Sequence, residues 1–159
     1  MSVWQQKRKA GSKVDDSHAY KELGFENYDE YLESKFWRLI KDAILKRDKN
    51  KCSFCNESAT QVHHTSYARP TIIAERTHHL YSTCRSCHYK CHFSPRNKKL
   101  YRKTSVQKTL GMAFKKSGSK NYGLMIRDRF IKFEMHDEKL QETLSKCFTK
   151  VGKLKKAFR

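Results

Sequence analysis

The chain has few acidic residues and no long apolar runs, and both shortages limit what it can be. No stretch is apolar over the length needed to cross a bilayer, and the start, MSVWQQKRKAGSK, lacks the apolar segment of a signal peptide. We therefore expect a cytoplasmic protein, of a bacterial cell or a phage-infected host, with no membrane partner. Hydrophobic residues make up only 37% of the chain, so one modest core is expected.

The charge balance is strongly basic. Acidic residues number 16 against 35 basic ones, which gives a formal charge of +19. This excess is larger than solubility requires and is typical of proteins that bind polyanions. From residue 93 onward there are 19 basic and 5 acidic residues, so the binding surface is expected mainly in the C-terminal part. Nucleic acid is the predicted partner.

Residues 52–92 hold five of the six cysteines and six of the eight histidines. Four of these cysteines form two CxxC pairs, a spacing that lets two tight turns point their sulfurs at one tetrahedral zinc ion: Cys52, Cys55, Cys84 and Cys87. Cysteines of a cytoplasmic protein are more often metal ligands than disulfides. Four thiolates leave no open coordination position, so this zinc is predicted to be structural. The alternative is a set of reduced, buried cysteines that act as small apolar residues.

The histidines need a separate explanation, because four cysteines already satisfy one zinc ion. His88 and His92 are four residues apart, so both imidazoles would lie on one face of a helix that follows the second CxxC pair. His63 and His64 lie in a short β-type segment, where neighbouring side chains point to opposite faces. One of them could face a metal ion and the other a substrate. The alternative is that the histidines are surface residues, or surround the zinc, in a non-catalytic finger.

Several segments together resemble a known family. They are YLESKFW from Tyr31, the first CxxC pair, VHHTSY from Val62, Glu75, and LYSTCRSCHYKCH from Leu80. This order is similar to that of the HNH, or ββα-metal, endonucleases, in the branch that is stapled by a four-cysteine zinc. The resemblance covers residues 28–93 and does not extend to either end.

The resemblance implies a role for each histidine. His64 would be the general base, and His63, His88 and His92 would hold a catalytic divalent ion, Mg²⁺, Mn²⁺, Ni²⁺ or Zn²⁺. His79 occupies the position of the asparagine that gives the family its name, so it is expected to position the base by hydrogen bonding. Hydrolysis of a phosphodiester needs a base near neutral pH and a cation on the phosphate oxygens, and imidazole and a metal ion provide these.

We expect a small α+β protein with a ββα-metal core flanked by helices. The predicted organisation is a flexible basic arm at 1–17, a nuclease domain at 18–93 and a basic helical extension at 94–159. Predicted elements are a helix from Asn27 to Arg47, strands at 61–65 and 80–83, and helices at 86–93 and 106–114. Residues 121–135 fit either a helix or strands.

The C-terminal extension carries an apolar stripe from Asp137 onward, formed by Leu140, Leu144, Cys147, Phe148, Val151, Leu154 and Phe158. We expect it to be a helix that packs on the protein body, with a homodimer seam or a DNA-docking helix as alternatives. Basic residues near the proposed site could contact phosphate: Arg69 and Arg76 in the loop, and Arg96, Lys98 and Lys99 after the helix.

The sequence therefore predicts a metal-dependent endonuclease that cuts DNA. The two alternatives are a zinc-stapled protein that binds nucleic acid without cutting it, and a nuclease that acts on RNA.

Overall fold

The computed structural model describes residues 19–93 and 105–159, with side chains described from 109 onward in the second range. Within them the chain forms a small α+β fold of seven α-helices and one two-stranded antiparallel sheet. In chain order the elements are α1 Ala19–Glu22, α2 Tyr28–Glu33, α3 Lys35–Arg47, β1 Gln61–His64, α4 Arg69–Ile72, β2 Leu80–Thr83, α5 Arg85–His92, α6 Ser105–Ser117, α7 Tyr122–Ser145 and a 3₁₀ helix Lys156–Phe158. In these ranges no helix is both long and apolar enough to cross a membrane.

The β1–β2 hairpin separates two packed regions. Its register pairs Gln61 with Thr83, Val62 with Ser82, His63 with Tyr81 and His64 with Leu80. Because side chains alternate along a strand, directly paired residues share a face. Val62 and Leu80 belong to the main core around α3, whereas Tyr81 packs with Ala113 of α6 and Met125 of α7. The hairpin therefore sends His63 and His64 into different surroundings.

The predicted helix from Asn27 to Arg47 is two helices. Asn27 caps the first as expected, with its side chain accepting from the Glu30 amide at 2.9 Å. Ser34 then leaves the helical conformation and its hydroxyl accepts from the Trp37 amide, so it starts α3 as an N-cap. The apolar periodicity continues across this break, which is why the sequence pattern predicted one helix.

The C-terminal prediction is right about packing and wrong about the length of the helix. Leu140 and Leu144 are buried in the same core as Ile40 of α3, as expected for a helix that packs on the body. However, α7 starts at Tyr122, so the ambiguous residues 121–135 are almost entirely helical, and it ends at Ser145. The chain then turns through Gly152, with positive φ, and Val151 is 84% exposed.

α7 is also tied to the sheet by polar contacts. The buried Asp137 carboxylate accepts from the amide and the hydroxyl of Thr77, just before β2. Arg47 of α3 and Arg129 of α7 both donate to the Leu80 carbonyl, at 2.8 and 3.2 Å. These two charged donors bind one buried carbonyl and so fix the start of β2 between α3 and α7.

Candidate functional site

Two turns carry the four predicted cysteine ligands. The first, Cys52 to Cys55, is attached to β2, because the Ser53 amide donates to the Ser82 carbonyl at 2.8 Å. The second begins at Cys84, which is the N-cap of α5 and accepts from the Cys87 amide at 3.3 Å. The Phe54 amide points in the same way at the Cys52 sulfur, at 3.4 Å. Backbone N–H groups aimed at sulfur are suited to thiolates.

The four sulfurs form one compact cluster. All lie within 4.8 Å of one another, and the Cys55 and Cys84 sulfurs are 3.6 Å apart. Four sulfurs bound at the zinc–sulfur distance in a tetrahedron would be about 3.8 Å apart. The predicted grouping of these cysteines is therefore confirmed, and its geometry fits a closed, structural metal site.

The pKa values of the thiols are shifted in opposite directions within the cluster. Burial raises the pKa of the Cys52 thiol, but backbone N–H groups outweigh this and bring the pKa to about 7. Burial, followed by the neighbouring thiols, raises the pKa of Cys87 well above its ordinary value. Four thiolates packed this closely repel one another, so full ionisation requires a metal ion in their midst.

A second cluster is made only of imidazoles. His63 comes from β1, and His88 and His92 from successive turns of α5. His92 Nε2 lies 3.1 Å from His63 Nδ1 and 3.2 Å from His88 Nε2. Ligand nitrogens about 2.1 Å from one ion would be about 3.0 Å apart in octahedral and about 3.4 Å apart in tetrahedral geometry. The three rings therefore fit a single shared metal ion.

The outer nitrogens of two rings are oriented by neighbouring side chains. His88 Nδ1 donates to the Gln61 amide oxygen, and His63 Nε2 lies 3.3 Å from the Thr109 hydroxyl. With the protons on these outer atoms, the lone pairs of His88 Nε2 and His63 Nδ1 point into the cluster, as a metal requires. Sequence reasoning missed both partners. Gln61 is two residues before His63 on the same strand face, so it could have been found, whereas Thr109 lies on a distant helix.

The imidazole cluster is enclosed. His63, His88 and His92 are 2%, 6% and 1% exposed, and α6 lies beside them through Thr109. Sites that act on a substrate keep a coordination position open, so a catalytic role requires a path from the surface to this cluster.

His64, the predicted base, lies on the opposite face of the hairpin and outside the imidazole cluster. Its ring is 1% exposed, stacks on Trp37 at 4.7 Å between centroids and also packs against Tyr67. Its Nδ1 lies 3.2 Å from the Tyr28 hydroxyl. Burial holds the pKa of Tyr28 well above the ordinary value, so this phenol stays protonated. The structure thus separates the two neighbouring histidines, as strand alternation predicts.

His79, in the place of the family asparagine, contacts the residue after His64. Its Nδ1 lies 2.8 Å from the Thr65 hydroxyl, and its carbonyl accepts from the Thr65 amide at 2.9 Å. Burial, with His78 and Arg129 nearby, lowers the pKa of His79 to about 4. The side chain is therefore neutral at pH 7 and acts there as a hydrogen-bonding group.

The predicted phosphate-contacting residues are spread out. Arg69 pairs with Glu22 at 2.8 Å and lies 3.9 Å from Glu75, so its charge is partly compensated. Arg76 lies over the Phe130 ring at 4.9 Å. Arg96, Lys98 and Lys99 fall outside the described residues. Neither described arginine contacts the imidazole cluster.

Comparison with known proteins identifies no relative: no family model, no curated protein and no solved structure matches this chain.

Proposed function

We propose that this protein is a metal-dependent endonuclease that hydrolyses DNA phosphodiester bonds, on a ββα-metal core stapled by a zinc ion on four cysteines. The observation that carries the proposal is the convergence of three imidazole nitrogens, 3.1 and 3.2 Å apart, beside a separate thiol cluster. The order of β1, β2 and α5, with ligands on the first strand and the helix, supports the resemblance to the HNH family.

In the proposed mechanism His63, His88 and His92 would hold a divalent ion. That ion, when bound, would supply positive charge to the phosphate oxygens and the leaving oxygen. Gln61 orients the His88 ring by accepting its outer proton. The products expected from the family resemblance are a 5′ phosphate and a 3′ hydroxyl.

His64 is the proposed general base. To take a proton from water at Nε2, its ring must carry the other proton on Nδ1 and donate it to the Tyr28 oxygen. Because the ring is 1% exposed, DNA binding must open a path between His64 and the attacking water.

A plasmid assay tests the proposal. Zinc-loaded protein is incubated with supercoiled DNA and Mg²⁺, Mn²⁺, Ni²⁺ or Zn²⁺, and nicking is expected with at least one ion. We expect His63→Ala and His64→Gln to lower the rate at least about 100-fold, because each removes a ligand or the base. Glutamine is chosen for His64 because it fills most of the buried volume. His136→Ala, away from both clusters, is the matched control.

The same assay distinguishes His64 from the metal ligands. His64→Gln should retain the fold, the metal content and DNA binding while losing cleavage, whereas His63→Ala should also lose an ion. Cleavage that survives His64→Gln would remove this residue from the role of base.

The enclosure of the imidazoles favours one alternative, a protein that binds nucleic acid and uses the second ion only structurally. That function predicts two bound ions, DNA binding and no nicking under any of the four ions. Substrate choice is tested separately by comparing cleavage of DNA and RNA of one sequence, since a metal and a base do not by themselves exclude ribose.

A further inference from the structure

A cleft of about 680 Å³ lies between the end of α3, the first cysteine turn, α6 and α7. It shares no lining residue with the imidazole cluster, and neither Arg69 nor Arg76, the two predicted phosphate-contacting residues that the structure describes, lines it. Its wall is strongly basic, with six cationic residues against two acidic ones: Arg47, Lys49, Lys51, Lys116, Arg129 and Lys132 against Asp48 and Asp128.

The two carboxylates do not neutralise the lysines. Asp48 is bound by Arg47 at 2.8 Å, and Asp128 lies 3.8 Å from Arg127, which is outside the cleft. Among the described residues, no carboxylate is within ion-pair distance of Lys49, Lys51, Lys116 or Lys132. The cleft therefore keeps a net positive charge that is available to an anion.

Tyr81 supplies an independent sign of a ligand. Its ring is fully buried, stacked on Phe54 with 5.7 Å between centroids and covered by the Arg129 guanidinium at 3.8 Å. The residue lines the cleft, and its hydroxyl is buried with no hydrogen-bond partner in the described part of the chain. Burial raises the pKa of the Tyr81 phenol, so the hydroxyl remains a donor at neutral pH. A buried donor left unsatisfied is costly and therefore uncommon.

The hairpin register places this cleft beside the imidazole cluster. Tyr81 is paired with His63, so both side chains lie on one face of the sheet, and both contact α6, through Ala113 and Thr109. Cross-strand partners have Cβ atoms about 5 Å apart. An anion in the cleft would thus lie on the same side of the sheet as the three imidazoles.

We propose that this cleft binds a backbone phosphate of the nucleic acid, held by the Tyr81 hydroxyl and the ammonium groups of Lys51 and Lys132. The proposal rests on the proposed function for its ligand, because the imidazole cluster on the same face would act on a neighbouring phosphate. It assigns a positioning role to α6 and α7 that the family resemblance does not cover. The alternative, that the lysines are merely solvated, leaves the buried hydroxyl unexplained.

The first test compares two variants with the same loss of charge. Lys51→Gln/Lys132→Gln removes two ammonium groups from the cleft, while Lys139→Gln/Lys150→Gln removes two exposed ones elsewhere. We expect the cleft variant to raise the Kd for a short DNA duplex about tenfold and to reduce the slope of log K against log salt by about 1.8. The control variant should change Kd less than about threefold. Equal effects of the two variants would overturn the proposal.

The second test uses Tyr81→Phe, which removes only the hydroxyl. Without ligand, this variant should melt at a higher temperature than the unmodified protein. The substitution removes a buried hydroxyl whose desolvation is not compensated by a hydrogen bond. With the duplex, its Kd should rise at least about threefold. A Tyr81→Phe protein that binds DNA as tightly as the unmodified one contradicts the proposal.

The source of the phosphate is resolved by competition. Inorganic phosphate and AMP are added at matched ionic strength, with sulfate as a control. If either stabilises the protein at low millimolar concentration without weakening DNA binding, the cleft holds a free anion and the polynucleotide proposal is wrong. Displacement of the duplex from the unmodified protein, but not from the cleft variant, supports it.

Both tests read binding, so they are independent of cleavage. Absence of nicking together with weaker binding by the cleft variant would refute the proposed enzyme and support the cleft. Nicking together with equal binding by the cleft and control variants would refute the cleft alone.

Discussion

At the scale of single residues, one amide oxygen decides which nitrogen of His88 faces the imidazole cluster. Gln61 accepts from Nδ1, so Nε2 keeps its lone pair for an ion. Such a partner fixes both the tautomer and the ring orientation of a ligand. The metal affinity of the cluster should therefore depend on a residue that never touches the ion.

Gln61→Ala tests this dependence. Loss of the acceptor should weaken binding of the second ion about 10- to 100-fold, whereas Gln61→Glu, which still accepts, should bind at least as tightly as the unmodified protein. Affinity is measured by competition with a coloured chelator on protein whose four-cysteine site is loaded. Gln141→Ala, which removes a glutamine from α7, is the control. Equal affinities of Gln61→Ala and this control would show that Gln61 has no orienting role.

Single residues also show what the sequence could predict. The cysteine spacing alone predicted the four-sulfur cluster, because two tight turns leave few other arrangements. The grouping of His63 with His88 and His92 was predicted by the resemblance, and the strand period predicted that His64 would point the other way. The aromatic surroundings of His64 could not be predicted, because Tyr28 and Trp37 reach it from helices whose packing angle no local pattern specifies.

At the scale of elements, His79 lies where the β1–β2 pairing ends. The Thr65–His79 contacts extend the pairing one residue beyond β1, where the chain leaves the sheet. Because the folded-state pKa of His79 is about 4, below the ordinary 6.5 of imidazole, the unfolded chain binds the extra proton first as the pH falls. Its contribution to stability is thus complete above pH 6.5 and is lost as the pH falls towards 4.

His79→Asn should flatten this pH dependence. Asparagine donates to the Thr65 hydroxyl as histidine does but takes up no proton, so stability at pH 7 should change by less than about 1 kcal/mol. Between pH 6.5 and 4, the variant should lose less stability than the unmodified protein. Denaturant unfolding at a series of pH values measures the difference, and histidine NMR gives the pKa directly. If the slope of stability against pH is unchanged in the variant, the pKa of His79 is the same in the folded and unfolded chain.

Two helical regions show where the spacing of apolar residues did not predict the helix bounds. The pattern of apolar residues from Tyr28 to Ile44 is continuous. However, the Ser34 hydroxyl hydrogen-bonds to the backbone of Tyr31 and Trp37 and interrupts the helix, which the spacing of apolar residues does not reveal. In α7 the sequence pattern failed to identify a helix that is present. The first half of this helix is largely exposed, and its charged and aromatic residues show no clear helical period. Only the packing of Met125 and Phe133 identifies its buried face.

At the scale of the whole molecule, the thiol cluster joins parts that have little core of their own. It ties the first turn to the start of α5, which in turn carries two of the three imidazoles. One helix thus serves both clusters, and the sequence positions Cys87 and His88 are adjacent. Loss of the thiol-bound ion should therefore disturb the imidazole cluster as well.

Cys55→Ser tests this coupling with little loss of packing, since Cys55 is the exposed member of the four. We expect a fall in melting temperature of more than about 10 °C, because structural zinc contributes folding free energy directly. We also expect fewer than one ion per chain in place of two, by elemental analysis after dialysis. Ser58→Ala, exposed in the same loop, is the control. Retention of both ions together with an unchanged melting temperature in Cys55→Ser would contradict a structural role for Cys55.

The basic cleft is formed only when several separate elements pack together. Its lining residues run from Arg47 to Phe133, 86 positions along the chain, so no short window of sequence contains the pattern. The excess of basic residues predicted a surface that binds a polyanion, formed mainly by the C-terminal part of the chain. The position of the basic cleft follows only from the way α6 and α7 pack on the hairpin.

The burial of Leu140 and Leu144 against Ile40 has a practical consequence for any attempt to shorten the chain. Cutting the chain after α5 would keep every proposed ligand but would open a hole in the shared interior and leave Arg47 facing solvent beside bare β2. The stretch that resembles the HNH family is thus not expected to fold as a separate module here, and moving it into another protein would require α7 as well.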